Sequence, residues 1–160
     1  MSCMVGLGTA CGDKKNEGFL PAHSLYKSPR IKAMYNAAGG VPMYILSAEH
    51  GLIEAHQRLL PYQRVMDDER AHHLASQAAE VMRKYDWFVF FKGGSRSAYA
   101  LCMRLASSMS GVPLVLVGYA NMGHFRECIT IALELRDSGK ITTTAGSLEV
   151  YRPVLRRIAP

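Results

Sequence analysis

The stretch VPMYILSAEHGL, residues 41–52, changes character in its middle. Its first half, residues 41–46, is an apolar run of strand length, which is typical of a strand covered on both faces in a parallel sheet. Its second half, residues 47–52, is more polar and contains Gly51, which indicates a turn leaving the strand. Ligands bind beyond the carboxyl ends of the strands in open parallel sheets, so this turn is a candidate site.

The same order of apolar run, turn and helix occurs four times along the chain. The pattern predicts strands over 3–10, 41–46, 87–91 and 113–117, and helices over 24–38, from 67 onward, over 97–108 and over 124–135. It favours a single Rossmann-like, three-layer α/β domain with a mostly parallel sheet of about four strands. We expect one domain over 1–160, with a core over about 3–137, a long loop over 47–66 and a C-terminal tail over 138–160.

The amino-acid composition indicates which class of protein and which partners to expect. Hydrophobic residues make up 49% and charged residues 20% of the chain, as in ordinary globular proteins, and no apolar run is long enough to span a membrane. The four cysteines form no CxxC pair and the six histidines have no metal-ligand spacing, so we expect no metal, no cofactor and a reducing cytoplasm. The net charge of +6 favours a polyanionic partner such as DNA, with simple solubility as the alternative.

The four strand ends should converge on one edge of the sheet, because parallel strands share a direction. They carry polar or glycine-rich segments over 11–14, 47–51, 93–96 and 118–121. Glu49 and His50 are the natural acid–base pair, since a carboxylate stabilises a cationic transition state and an imidazole donates a proton near neutral pH. The alternative is that Glu49 is solvated and His50 only caps the turn.

A second candidate element is the run Gly93, Gly94, Ser95 and Arg96, which precedes a predicted helix. Glycines allow close approach of the backbone to an anion, and Arg96 can hold a phosphate. An ordinary strand-to-helix turn is the alternative. Lys14 and Lys15 are further candidate phosphate ligands, and a simply solvated lysine pair is the alternative.

Several ordered motifs resemble a family of small bacterial, archaeal and phage proteins placed near the YaaA peroxide-stress proteins. Residues 45–52 and 60–62, ILSAEHGL and LPY, are similar to its signature LSAxHGL…PY. Residues 11–15 resemble its CxxKK, residues 22–28 its AxxLYxS, and residues 118–123 its closing glycine turn. The lyase domain of archaeosine synthase looks related, and the likeness covers most of residues 3–135. Two positions depart from the pattern: Glu49 replaces a usual Lys or Arg, and Gln63 replaces a usual Asp.

The resemblance implies nucleotide or nucleobase chemistry, because YaaA proteins bind DNA and are similar in shape to DNA glycosylases. We therefore expect an enzyme that cleaves the N-glycosidic bond of a modified base flipped out of DNA. In this hypothesis Glu49 stabilises the oxocarbenium ion and His50 or Tyr62 supports the departing base. The remaining candidates are Ser47 and Asp13 as catalytic residues and, as substrate-binding residues beside Lys14, Lys15 and 93–96, Cys11, Gly12, Tyr26, Ser28, Gly51 and Asn121.

Two alternatives stay open. A nucleosidase or deoxyribosyltransferase of free nucleotides would use the same edge of the sheet without an extended basic surface. A non-catalytic nucleic-acid-binding module would use the basic surface without the acid–base pair.

Overall fold

The chain forms eight strands and five helices over the residues that the computed structural model describes, which are 3–118, 125–143 and 148–153. The strands are β1 Val5–Ala10, β2 Leu20–Pro21, β3 Met43–Ser47, β4 Gly51–Glu54, β5 Arg58–Leu59, β6 Trp87–Phe91, β7 Leu114–Val117 and β8 Leu148–Tyr151. The helices are α1 Ala22–Leu25, α2 Pro29–Ala37, α3 Asp68–Met82, α4 Ser97–Ser110 and α5 Phe125–Ser138.

The main sheet is mixed and has the strand order β4-β3-β1-β6-β7-β8. The four predicted strands form its parallel centre, so the prediction of a mostly parallel sheet is confirmed. The count of about four strands is wrong, because β4 and β8 add antiparallel edges. The turn between β3 and β4 is too short for a parallel crossover, and a short connection returns the chain antiparallel.

Two segments for which no strand was predicted therefore contain strands. The stretch 47–66, predicted as one long loop, holds β4 and β5, and β5 pairs with β2 in a separate two-stranded sheet. The segment 138–160, predicted as a tail, contributes β8 beside β7. Thus the sheet extends beyond the predicted core of 3–137.

The centre of the sheet is packed with aromatic side chains. Phe88, Phe90 and Phe91 of β6 are almost fully buried. Gly6 and Gly8 of β1 make room for them, since a Cβ added at Gly6 would lie 2.6 Å from the Phe88 ring and one at Gly8 2.9 Å from it. The alternating glycines of β1 are thus explained by the close approach of β6.

The single helix predicted over 24–38 is wrong, because the chain forms α1 and α2 there with an extended break at Tyr26–Ser28. Pro29 favours a new helix start, and the Ser28 hydroxyl accepts a hydrogen bond from the Ile31 N–H at 3.3 Å. The predicted start of α3 is confirmed, with Asp67 Oδ1 accepting from the Arg70 N–H at 2.7 Å. Helix α3 packs against α4, and α2 packs against both α1 and α5.

The connections define where a ligand site belongs. From β1 the chain passes to β3 on one side, and from β6 it passes to β7 on the other side. Neighbouring strands whose connections diverge leave a crevice outside their carboxyl ends. In this sheet that crevice lies between Ala10 and Phe91.

Candidate active site

A cavity of about 420 Å³ occupies this crevice. It is bordered by the segment after β1, the start of α2 and the turn between β6 and α4. Its lining residues are Cys11, Gly12, Asp13, Lys27, Ser28, Pro29, Arg30, Gly94, Ser95, Arg96 and Tyr99. Two of the four predicted strand-end segments, 11–14 and 93–96, thus meet in one cavity, which we call the β1–β6 cavity.

Cys11 and Tyr99 form a hydrogen-bonded pair at this cavity. The Cys11 Sγ lies 3.0 Å from the Tyr99 Oη, and both residues are buried. Burial raises the pKa of Tyr99 well above its ordinary value, and the nearby Cys11 thiol makes a smaller contribution in the same direction. Tyr99 therefore stays protonated and offers an O–H donor in the cavity.

Arg30 is a cavity residue that the sequence analysis missed. Its Nη2 donates to the Ala10 carbonyl at 2.9 Å, and its buried Nε has no hydrogen-bond partner among the described residues. Burial lowers the pKa of Arg30 from its ordinary value, yet a guanidinium remains charged at neutral pH. A buried donor without a partner is costly, and an anion in the cavity would satisfy it.

A signal for Arg30 was present in the sequence. Ser28 and Pro29 mark a helix start, so Arg30 falls in the first turn of α2. A cation is unfavourable at the positive end of a helix dipole. An arginine at such a position indicates a role other than helix stability.

Three hydrogen-bonded hydroxyl groups, those of Ser47, Tyr62 and Tyr26, lie beside the β1–β6 cavity, and we call them the hydroxyl chain. Ser47 donates to the Tyr62 oxygen at 2.7 Å, and the hydroxyl groups of Tyr62 and Tyr26 are hydrogen-bonded to each other, also at 2.7 Å. Burial raises the pKa of Tyr26 to about 12 and that of Tyr62 still further. The three predicted residues Ser47, Tyr62 and Tyr26 thus lie together and remain neutral hydroxyls at physiological pH.

Ser47 also shapes the turn after β3. Its Oγ accepts hydrogen bonds from the backbone N–H groups of Glu49 at 3.2 Å and His50 at 3.1 Å. Ser47 is fully buried. Its contacts are those of a residue that positions the turn and Tyr62, and they do not present it to a cavity.

A second cavity of about 500 Å³, which we call the lysine cavity, lies along the loop after β1. Its lining residues are Asp13, Lys14, Lys15, Glu17, Lys27, Pro61, Tyr62 and Gln63. The Lys15 Nζ lies 4.3 Å from the centre of the Tyr62 ring and donates to the Asp13 carbonyl at 3.1 Å. Asp13 borders both cavities, and it is the carboxylate they share.

Glu49 and His50 lie outside the lining of both cavities. The Glu49 carboxylate is 3.5 Å from Arg64, and its backbone carbonyl accepts from Arg70 at 2.6 Å. The His50 ring packs edge-on against Tyr62, with ring centres 5.5 Å apart, and is otherwise exposed. The structure therefore places the predicted acid–base pair next to the hydroxyl chain, with Glu49 in an ion pair.

The remaining predicted residues have mixed positions. Ser28, Gly94, Ser95 and Arg96 line the β1–β6 cavity with Gly12. Gly93 is a buried residue of the turn between β6 and α4, and Gly51 begins β4 with a φ of 83°. Asn121, the glycine turn to 123 and the predicted helix start at His124 lie outside the described residues.

Neither a metal-binding cluster nor a membrane-spanning helix occurs among the described residues. No group of three or more His, Cys, Asp or Glu residues in 3–118, 125–143 and 148–153 is arranged to hold a metal ion. No helix in the described part of the chain is long and apolar enough to cross a membrane.

Comparison with known proteins gives one match. A family model described as a family of unknown function (DUF6884) matches residues 9–89, just over half of the chain. No curated protein and no solved structure matches the chain. The matched segment includes Cys11, Arg30, Ser47 and Tyr62 and ends before the turn at 93–96. The chain therefore belongs to the DUF6884 family.

Proposed function

We propose that this protein is a DNA glycosylase-like enzyme that cleaves the N-glycosidic bond of a base, with a phosphate of the substrate bound in the β1–β6 cavity. The observation that carries the proposal is Arg30, whose buried Nε has no partner in the described part of the chain and which lines that cavity. Arg96 and the exposed Gly94 line the same cavity at the start of α4. Two arginines and a helix start are a suitable environment for a phosphate.

We also propose a more specific description of the fold. The parallel strands run in the order β3-β1-β6-β7, which is the order of flavodoxin-like, doubly wound sheets. We infer a Rossmann-like architecture extended by two antiparallel edge strands. The resemblance of residues 45–62 to the YaaA-type signature supports nucleotide chemistry, and the four free thiols agree with a reducing compartment such as the cytoplasm.

Asp13 is the carboxylate best placed for the chemical step. Cleavage of an N-glycosidic bond builds positive charge on the sugar, and a nearby carboxylate stabilises that charge more in the transition state than in the ground state. Asp13 borders both cavities, so a phosphate near Arg30 and a base near Tyr62 would bring the sugar to it. Glu49, the carboxylate favoured by the sequence, is held by Arg64.

Tyr62 and Lys15 have complementary tasks in this scheme. Tyr62 borders the lysine cavity and has its hydroxyl fixed between Ser47 and Tyr26. When Ser47 and Tyr26 both donate to the Tyr62 oxygen, the protonated Tyr62 phenol can donate its O–H to the departing base, whose nitrogen gains negative charge. Lys15, above the Tyr62 ring, adds positive charge at the same place.

The experiment compares two charge-removing variants of equal size, Asp13→Asn and Glu49→Gln. Wild-type protein is incubated with natural and phage-modified DNAs, and released bases are measured by mass spectrometry. We expect Asp13→Asn to lose about a hundred- to a thousandfold in rate, the typical effect of losing one preorganised electrostatic group, while Glu49→Gln keeps most of the activity.

The opposite result would assign the chemistry to Glu49, and release of no base from any DNA would contradict the glycosylase proposal. A free-nucleotide enzyme is the second candidate, because crevices at this point of doubly wound sheets bind free nucleotides. Release of base from deoxynucleoside monophosphates in the same assay, without release from DNA, would favour it.

A further inference from the structure

A pair of apolar side chains projects from the small sheet formed by β2 and β5. The register pairs Leu20 with Leu59 and Pro21 with Arg58. Phe19 directly precedes β2, and Leu60 directly follows β5. Both side chains are exposed, Phe19 to 57% and Leu60 to 62%, whereas Leu59 is buried. Arg58 Nη1 donates to the Phe19 carbonyl at 3.1 Å and ties the pair together.

The pair adjoins the lysine cavity along both chain segments. Leu60 is followed directly by Pro61 and Tyr62, and Phe19 comes two residues after Glu17, all three of which line that cavity. Large apolar side chains that project beside a polar cavity are well placed to contact whatever surrounds a ligand in that cavity.

The charged side chains around Phe19 and Leu60 favour a polyanionic partner. Three lysines line the lysine cavity, Lys14, Lys15 and Lys27, against two carboxylates, Asp13 and Glu17. Arg58 adds a further cation next to Phe19. An apolar pair within a basic rim matches the combination that nucleic acids present, with stacked bases between rows of phosphates.

We propose that Phe19 and Leu60 form a wedge that enters the base stack of duplex DNA next to the nucleotide bound at the lysine cavity. This inference rests on the proposed function for the identity of that nucleotide, and it names double-stranded DNA as the substrate class. A base that leaves the stack opens a gap, and apolar side chains inserted between base steps unstack and kink the duplex. A free nucleotide has no stack to enter and would leave both side chains without a contact.

The test uses a short duplex that contains 2-aminopurine, whose fluorescence rises when the base is unstacked. The variant Phe19→Ala/Leu60→Ala is compared with the wild type and with Met109→Ala. Met109 is a matched control, because it is 51% exposed and lies at the far end of α4, away from the carboxyl ends of the strands. Thermal unfolding of all three proteins verifies that the fold is intact.

We expect the wild type and Met109→Ala to raise the fluorescence to the same extent. The double variant should raise it little and bind the duplex at least about tenfold more weakly, the scale of losing a base-stacking contact. Base release from single-stranded DNA, where no stack has to be opened, should be unchanged in the double variant.

Equal fluorescence from the double variant and the wild type would overturn the wedge. So would self-association of the wild type that depends on Phe19 and Leu60 and leaves DNA binding unaffected. Failure of the proposed function can be distinguished from failure of the wedge, because the protein would then release no base from any DNA. Unstacking that depends on the two side chains would still establish the wedge in that case.

Discussion

At the scale of single residues, Gly51 shows how tightly the turn after β3 is held. Its φ of 83° lies in the left-handed region, and a Cβ added there would overlap the Gln77 side chain. That side chain cannot move freely, since Oε1 accepts from the Leu52 N–H at 2.7 Å and Nε2 donates to the Leu52 carbonyl at 2.8 Å. The glycine thus allows α3 to clamp the start of β4.

We expect Gly51→Ala to destabilise the protein more than backbone strain alone would, and strain at such a φ costs about 1–3 kcal/mol. Gly40→Ala is the matched control, because Gly40 has a φ of 87° and its Cβ would meet nothing within 4 Å. Urea unfolding measures both free energies. Equal losses in the two variants would show that Gln77 yields to the added methyl and that the clamp is weak.

At the scale of elements, the first turn of α3 links helix stability to the candidate site. Asp67 caps the helix, and Arg70 in that turn donates to the Ala48 carbonyl at 2.8 Å and to that of Glu49. Asp67→Ala should lower the free energy of unfolding by about 1 kcal/mol, whereas Asp67→Asn keeps an acceptor and should cost only a few tenths. Thermal unfolding compares the two, and equal losses would mean that the cap bond contributes little.

The elements also show what sequence can and cannot predict. The central strands were predictable because their apolar runs are local features, and the start of α3 because Asp67 is a local cap. β4 and β8 were not, since their segments are short and partly polar and become strands only by pairing with β3 and β7. An edge strand depends on pairing with its neighbour in the sheet, and local propensity does not reveal that pairing.

The residues of the candidate site also divide into those that the local sequence predicts and those that depend on the folded structure. Cys11 and Arg96 were predictable, because each follows an apolar run at a strand end. Arg30 was missed, because it reaches the cavity only through the break between α1 and α2. Glu49 was favoured for its place in the turn after β3, but its ion pair with Arg64 depends on how the segment after β5 folds back.

At the scale of the whole molecule, charge predicts how strongly salt affects DNA binding. The net charge is +6, lysines border both cavities at the carboxyl edge of the sheet, and arginines border the β1–β6 cavity. Each phosphate neutralised releases counterions, and about four contacts would weaken binding roughly a hundredfold between about 50 and 200 mM salt. Filter-binding titrations across that range measure the slope, and a flat dependence would contradict the DNA proposal.

A pair of arginine variants locates the contact surface on the molecule. Arg96→Ala removes a cation from the β1–β6 cavity, so it should weaken binding to all sequences and reduce the salt slope by about one. Arg83→Ala removes the same charge at the C-terminal end of α3, at the opposite edge of the sheet, where Arg83 donates to the Met109 carbonyl at 3.1 Å. Its slope should equal that of the wild type, because a phosphate at the carboxyl edge does not reach it. Equal reductions in both variants would indicate that DNA is bound by net charge and not by this cavity.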